Sequence, residues 1–295
     1  MTTTMTTTVR EQRNLNAFHL STALDHAPVG KPHARFSDPL PPALSPDAFL
    51  RELTHMIVKS PDANVSLFYD HLIAKKIPLE GIQQWIKQWY YDSRTYPSVI
   101  AMLAANCSYC AEGRQFMGTN LAEELGEFNP AREHPTLVRR LAKALGVSEE
   151  EIEFADPFPE TLLYVEYRMH LVRHFHWLEA LAAGSYAIEL TIPGRFTKIA
   201  NALREQFNLD DDALAIFGIH AGDESLEKDY GGDVYHAMEA GNLIKKYATT
   251  AEMQERIRTA VWRSIEARKV YQWGLYREII LKKHPAWQTL TTPPV

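Results

Sequence analysis

The chain predicts an all-α protein, a single helical bundle preceded by a tail, and three observations carry that reading. Past residue 45 nearly every segment of a dozen residues or more spaces its apolar positions three or four apart. The separators between those segments are short pieces bearing Pro or Gly. No stretch has the alternating pattern of a convincing strand.

The elements follow in order. Residues 1–44 are Thr-rich and then Pro-rich (HAPVGKPHARFSDPLPPALSP), with too few periodic apolar residues to offset the entropy of ordering, and form a mobile N-terminal tail. Ser45 and Pro46 then supply an N-cap and a first helical residue for DAFLRELTHMIV. Helices are expected over residues 46–59, 62–75, 79–93, 96–108, 111–127, 134–146, 159–190, 195–207, 211–229, 233–247 and 250–283. The longest one-face patterns fall in 159–190 and 250–283. No linker-like change of composition interrupts the chain after residue 45, so residues 45–295 read as one domain.

Bulk composition narrows the class. With 295 residues, 45% hydrophobic and 23% charged, the chain is an ordinary globular protein. The 31 Lys and Arg against 37 Asp and Glu give a formal charge of −6, and neither sign forms a block that would bind nucleic acid or an anionic membrane. The two cysteines, Cys107 and Cys110, make no disulfide framework; they read as buried thiols in a packed helix, which fits a cytoplasmic setting. There is no run of about 18 apolar residues, and the N-terminus lacks the apolar core of a signal peptide.

Function is sought where ionisable residues enter apolar stripes. Met117, Leu121, Glu124 and Phe128 share a face, so Glu124 is either a metal ligand or part of a surface helix with a narrower stripe; Glu123 and Glu127 lie off it and read as solvated. His134, before Pro135, is either a ligand or a helix-capping residue. Glu189 shares a face with Leu178, Ala182, Ser185 and Ile192, where small residues admit a close neighbour, and a carboxylate there needs a cation, a hydrogen-bond network or a proton. His220, Glu224 and Glu227, at i, i+4 and i+7, can all point at one ion. Asp229, Asp233 and His236 repeat that spacing. Nine residues separate His220 from Asp229, about half a turn out of phase on one helix, so the two sets are alternatives. His170 and His174, flanked by arginines, read as a solvated face.

Two stretches resemble a known superfamily. WIKQWYYDSRTYPSVIAMLAANC, residues 85–107, is similar to the third and fourth helices of proteins like pyrroloquinoline-quinone synthase, PqqC, in a superfamily that also holds the TenA thiaminases. NLAEELGEFNPAREHPTLVRRLAKALG, residues 120–146, resembles the heme-oxygenase-like diiron oxidases, whose helix carries a Glu in a Glu-x-Gly context and then a His, here Glu124 and His134. Glu189 before Pro193 fits the next carboxylate of that family. Its last ligand helix reads His-x-x-x-Asp-x-x-His. NLDDDALAIFGIH reproduces the lead-in and puts His220 first, with Glu224 in place of the Asp and Glu227 in place of the second His; the alternative register keeps Asp233 and His236 but has Asp229 for the first His.

The resemblance implies a heme-oxygenase-like helical bundle and an iron-dependent oxidase or oxygenase. Fe(II), two ions per chain or manganese in its place, would be held by Glu124, His134, Glu189, His220, Glu224 and Glu227, with O2 as co-substrate. A small-molecule substrate, an unidentified electron donor and a homodimer complete the expectation. Trp89, Tyr90 and Tyr91 lie on a helix expected to reach the same cavity, as lining or as core packing, and Arg195 could hold a substrate carboxylate. The rival readings are a metal-free PqqC-like oxidase and a non-catalytic helical binding protein.

Overall fold

The computed structural model describes residues 40–58, 66–192, 194–221 and 232–282, with the backbone alone for 221 and 232–234. Among the described residues every regular element is a helix, and none is long and apolar enough to cross a membrane.

The first helix, α1 (Pro46–Val58), buries Phe49, Leu53 and Ile57, a stripe at steps of four. Just before it, the backbone of Leu44 exchanges two hydrogen bonds of 2.9 Å with the Gln254 side chain, which ties the start of the bundle to its last helix. Next come α2 (Leu67–Ile73) and α3 (Leu79–Ser93), which packs Ile82, Trp85 and Ile86 inward. Then α4 (Tyr96–Asn106) runs back against α5 (Ala111–Glu124). The strongly amphipathic α6 (His134–Ala144) lays Leu137, Val138 and Leu141 on α3. A five-residue helix not expected from periodicity, α7 (Glu149–Glu153), forms because Ser148 and Glu151 cap it reciprocally.

The expected long helix 159–190 is two. Phe175 is extended (φ −96°, ψ 160°) and separates α8 (Pro159–His174) from α9 (Trp177–Leu181). His176 starts α9: its Nδ1 accepts from the Leu178 amide and Glu179 accepts from the His176 amide, at 3.2 and 2.9 Å. That local capping overrides an apolar pattern which by itself runs on unbroken. A π turn, Ala182–Tyr186, then leads into α10 (Ala187–Glu189). Ser264 donates to the Ala183 carbonyl at 2.7 Å, satisfying a backbone group in the turn.

The remainder is α11 (Arg195–Phe207), α12 (Ala215–Ala221), α13 (Gly232–Tyr247) and α14 (Ala251–Tyr276), the last prolonged by a π turn over Arg277–Leu281. Two cores result. One is aromatic and branched, around Phe68, Trp85, Ile86, Leu141 and Phe217; the other is built on small residues of α9, the π turn, α13 and α14, such as Ala180, Ala183, Ala240 and Ala260. Small side chains there let three helices approach closely.

Candidate metal centre

A cavity of about 100 Å³ is walled by Trp89, Phe196 and Ile216 from the aromatic core and Tyr96 from the other, together with Ile188 and Ile192. Five of the ionisable residues singled out in the sequence line it, namely Glu124, His134, Glu189, His220 and His236.

Glu124 ends α5, and the chain reverses at once. Gly126, Glu127 and Phe128 all take left-handed backbone angles, with φ of 62°, 55° and 65°. A Cβ on Gly126 would stand 2.5 Å from the backbone of Arg132 and Glu133, so only glycine permits the return. The reversal delivers His134, first residue of α6, with its Nδ1 2.9 Å from Glu124 Oε2. His134 also meets His220 of α12 edge to face, ring centroids 4.8 Å apart.

Glu189 is 4% exposed. Ser185, one turn earlier, donates to its Oε1 at 3.0 Å, and Asn120 Nδ2 lies 3.5 Å from the same oxygen. Its Oε2 is 3.8 Å from His236 Nδ1, and the other ring nitrogen of His236 is 2.7 Å from Glu123 Oε2. Glu123, expected to be solvated, is therefore only partly so, because the last turn of α5 faces α13. Glu127 is exposed and pairs with Arg132 at 3.1 Å.

The sets of His220 and His236 were alternatives because Asp229, counted with His236, is half a turn out of phase with His220. The two histidines stand on separate helices, α12 and α13, and both reach the cavity. Asp233 lies on α13 one turn before His236; its side chain, and all of Glu224, Glu227 and Asp229, lie outside the described residues.

The aromatic and arginine candidates lie elsewhere, Trp89 excepted. Tyr90 turns from the cavity to hydrogen-bond Glu153 at 3.0 Å and to accept from Arg139 at 3.3 Å. Tyr91 is covered by the Arg94 guanidinium, 4.7 Å from the ring. Arg195 sits over the Tyr69 ring at 5.6 Å. On α3 the cavity face is instead Trp89, Asp92 and Ser93, one helical turn of a single stripe.

Asp92, which the sequence reading passed over, and Arg168, one of the arginines it placed on a solvated face, both line the cavity, and Arg168 is buried. They form a buried ion pair of 2.5 Å, and the guanidinium lies 4.1 Å from the Tyr96 ring centre. Burial pushes the Asp92 carboxyl above its ordinary value, against the pull of Arg168. Burial also opposes the charge on Arg168, but Asp92 and the nearby tyrosines hold its pKa above the usual value. A signal existed: Thr161, Tyr164, Arg168 and Leu171 are all buried on one face of α8, so a cation interrupts an apolar stripe as Glu124 does on α5.

The donor set suits a hard divalent cation in kind: two buried carboxylates and three imidazoles around one cavity. Asn120 Oδ1, beside Glu189, is a buried acceptor that meets no hydrogen-bond donor among the described residues. The donors are arranged as acid–imidazole pairs, and among the described residues no three of them close around a single point.

A family model described as iron-containing redox enzyme matches residues 83–269, which contain every one of these donors. The chain belongs to that family. Among curated relatives of this iron-containing redox enzyme is a protein named 4-aminobenzoate synthase from Chlamydia pneumoniae, 25% identical over 181 residues, covering 60% of this chain and 73% of the relative. Another of the same name, from Nitrosomonas europaea, is 22% identical over 206 residues, covering 68% and 80%. Solved structures show the fold. A CADD-like protein from Nostoc punctiforme superposes with a TM-score of 0.64 at 17% identity, covering 80% of this chain and 98% of that one. A domain with a heme oxygenase-like fold from Shewanella denitrificans gives 0.60 at 15%, covering 79% and 90%, and a TenA homologue from Pseudomonas syringae gives 0.59 at 14%, covering 79% and 91%. The all-helical, heme-oxygenase-like architecture expected from the sequence is thus the one observed.

Cys107 and Cys110 are both buried. Burial pushes the Cys107 thiol up to about 12, and Cys110 Sγ accepts from the Gly113 amide as the N-cap of α5. A thiol held so high is a poor nucleophile.

Proposed function

We propose that this iron-containing redox enzyme is a non-heme, O2-dependent oxidase with two iron ions per chain, acting on a small organic metabolite in a biosynthetic pathway. The observation that carries the reading is the meeting of the Glu124–His134 and Glu189–His236 pairs, from four different helices, around one cavity. The named activity of the two curated relatives supports a small aromatic compound as substrate or product.

Glu124, His134, Glu189 and His220 would hold the metal, joined by His236 and by Asp233, Glu224 or Glu227 from the α12–α13 region. Iron or manganese, when bound, would supply the oxidising chemistry with dioxygen. The chain's own residues do the rest. Ser185 and Asn120 orient the Glu189 carboxylate and keep one oxygen directed toward His236. Trp89, Phe196, Ile188 and Ile216 give the cavity apolar walls, beside which charge interactions are stronger than in open water. The Asp92–Arg168 pair fixes the wall between α3 and α8. A cytoplasmic location, an external electron donor and a homodimer belong to the same proposal.

One observation favours a second reading. The 2.9 Å Glu124–His134 bond is complete by itself and could pass a proton in a metal-free oxidase. Anaerobic loading with Fe(II), metal analysis and O2 consumption separate the two. The diiron reading expects about two irons per chain and oxygen uptake abolished by chelation; oxygen uptake by metal-free protein, indifferent to chelator, would establish the second reading.

A further inference from the structure

The inner cavity, about 100 Å³, is smaller than the roughly 150 Å³ void that accommodates a benzene ring. Beside it lies a second space. A groove of about 400 Å³ runs between α5 and α13 on the protein surface, within the range of small-molecule sites, roughly 300–1,000 Å³. His236 belongs to the walls of both: one ring nitrogen is 3.8 Å from Glu189 and the other is 2.7 Å from Glu123. A molecule seated in the groove is therefore one imidazole away from the buried acids.

The lining defines what fits. Phe116 and Tyr235 contribute rings to the groove, each close to His236, with centroids 6.1 and 6.2 Å from it. Tyr235 is half exposed, so a face of it is open to a flat ligand. The charged residues are Glu112, Glu239 and Lys246. Lys246 is taken by Glu112, at 2.6 and 2.8 Å to its two oxygens. Glu239 accepts only a long 3.4 Å bond from the Asn242 amide among the described contacts. The groove thus offers aromatic surface and one carboxylate in excess.

From this we infer that the α5–α13 groove is the organic-substrate site and that it selects an arylalkyl amine in its protonated form, its ring against Phe116 and Tyr235 and its ammonium group at Glu239. The inference rests on the oxidase reading for its purpose, but the binding it describes does not need the metal.

The test is calorimetric titration of the full chain, metal-free and iron-loaded, with benzylamine and with benzoate, alongside histidine-selective NMR. Benzylamine is expected to saturate one site per chain, to bind at least about tenfold more tightly than benzoate, and to shift the His236 resonances. Glu239→Gln should weaken benzylamine about tenfold or more. Gln115→Trp, a solvent-exposed position on the groove wall whose substitution spares the core, should block binding. Both variants should keep wild-type iron loading and helical content. Equal affinity for benzoate, unchanged binding in either variant, or no saturable binding by the wild type would each overturn the assignment. Amine binding by a chain that takes up no iron would leave the groove standing and remove the oxidase; iron uptake without amine binding would do the reverse.

Discussion

Among the described residues four glutamates are buried, and they fall into two kinds. Glu160 and Glu179 each face an arginine: Arg277 reaches both oxygens of Glu160 at 2.5 and 3.1 Å, and Arg256 those of Glu179 at 3.1 and 2.7 Å. Glu124 and Glu189 are met by imidazoles, a hydroxyl and an amide, and both line a cavity. The first kind carries its own permanent countercharge and serves the fold. The second is surrounded by groups that titrate or merely orient, which is the environment in which a bound cation completes the charge balance.

The largest expected effect comes from breaking the first kind. Arg256→Ala leaves the Glu179 carboxylate, which also caps α9, buried without its guanidinium. A loss of about 3 kcal/mol is expected, at the lower end for a broken buried pair because Arg256 is itself partly exposed. Denaturant unfolding measures it, and iron per folded chain should not change. An unaltered unfolding midpoint would mean that Glu179 is not a structural acid.

Gly126→Ala attacks the geometry of the second kind. A side chain at φ 62° meets backbone 2.5 Å away, so a cost of about 1–3 kcal/mol is expected together with displacement of His134 from Glu124. The expected signature is weakened iron binding out of proportion to the stability loss. If iron affinity is retained, the hairpin is not what positions His134.

A smaller effect is the response to acid. The Ser148 backbone amide and hydroxyl, with Lys87, hold the Glu151 carboxyl below its ordinary 4.5, and Lys245 holds Asp47 below 3.8. Depressed groups contribute stability that is present above the unfolded value and lost as pH falls through the folded one. Asp92, raised by burial, acts in the opposite sense, because the folded state binds its proton first and stability from it grows as pH falls. Thermal melts should therefore weaken below about pH 4.5, and Asp92→Asn should steepen that decline. The smallest effect is at the exposed Lys75–Glu205 pair, where Lys75→Ala should leave the melting temperature unchanged.

The same contrast explains how much could be read from the sequence. Helix periodicity revealed the bundle and the acids that break its stripes, since each is a local pattern within one helix. Glu179 escaped notice because its partner is 77 positions away, and the end of α8 was hidden because His176 caps α9 through a reciprocal bond rather than through a Gly or Pro. His220 and His236 could not be reconciled while Asp229, counted in phase with His236, was placed on the helix of His220. Arg168 and Asp92, on α8 and α3, become a pair only when the bundle closes, although Arg168 interrupts an apolar stripe that is visible in the sequence. Tyr90 and Tyr91 share the segment of Trp89, but the helix turns them to Glu153 and Arg94.

The central claim, that buried acids here divide into structural and metal-binding kinds, is tested most directly by comparing Glu189→Gln with Glu160→Gln after anaerobic Fe(II) loading. Metal stoichiometry and the unfolding midpoint of the metal-free protein are measured on both. The account predicts that Glu189→Gln loses iron while the metal-free protein stays as stable as wild type, and that Glu160→Gln loses stability while the folded fraction still binds iron. Full iron loading in Glu189→Gln, or loss of iron in Glu160→Gln without loss of stability, would contradict it.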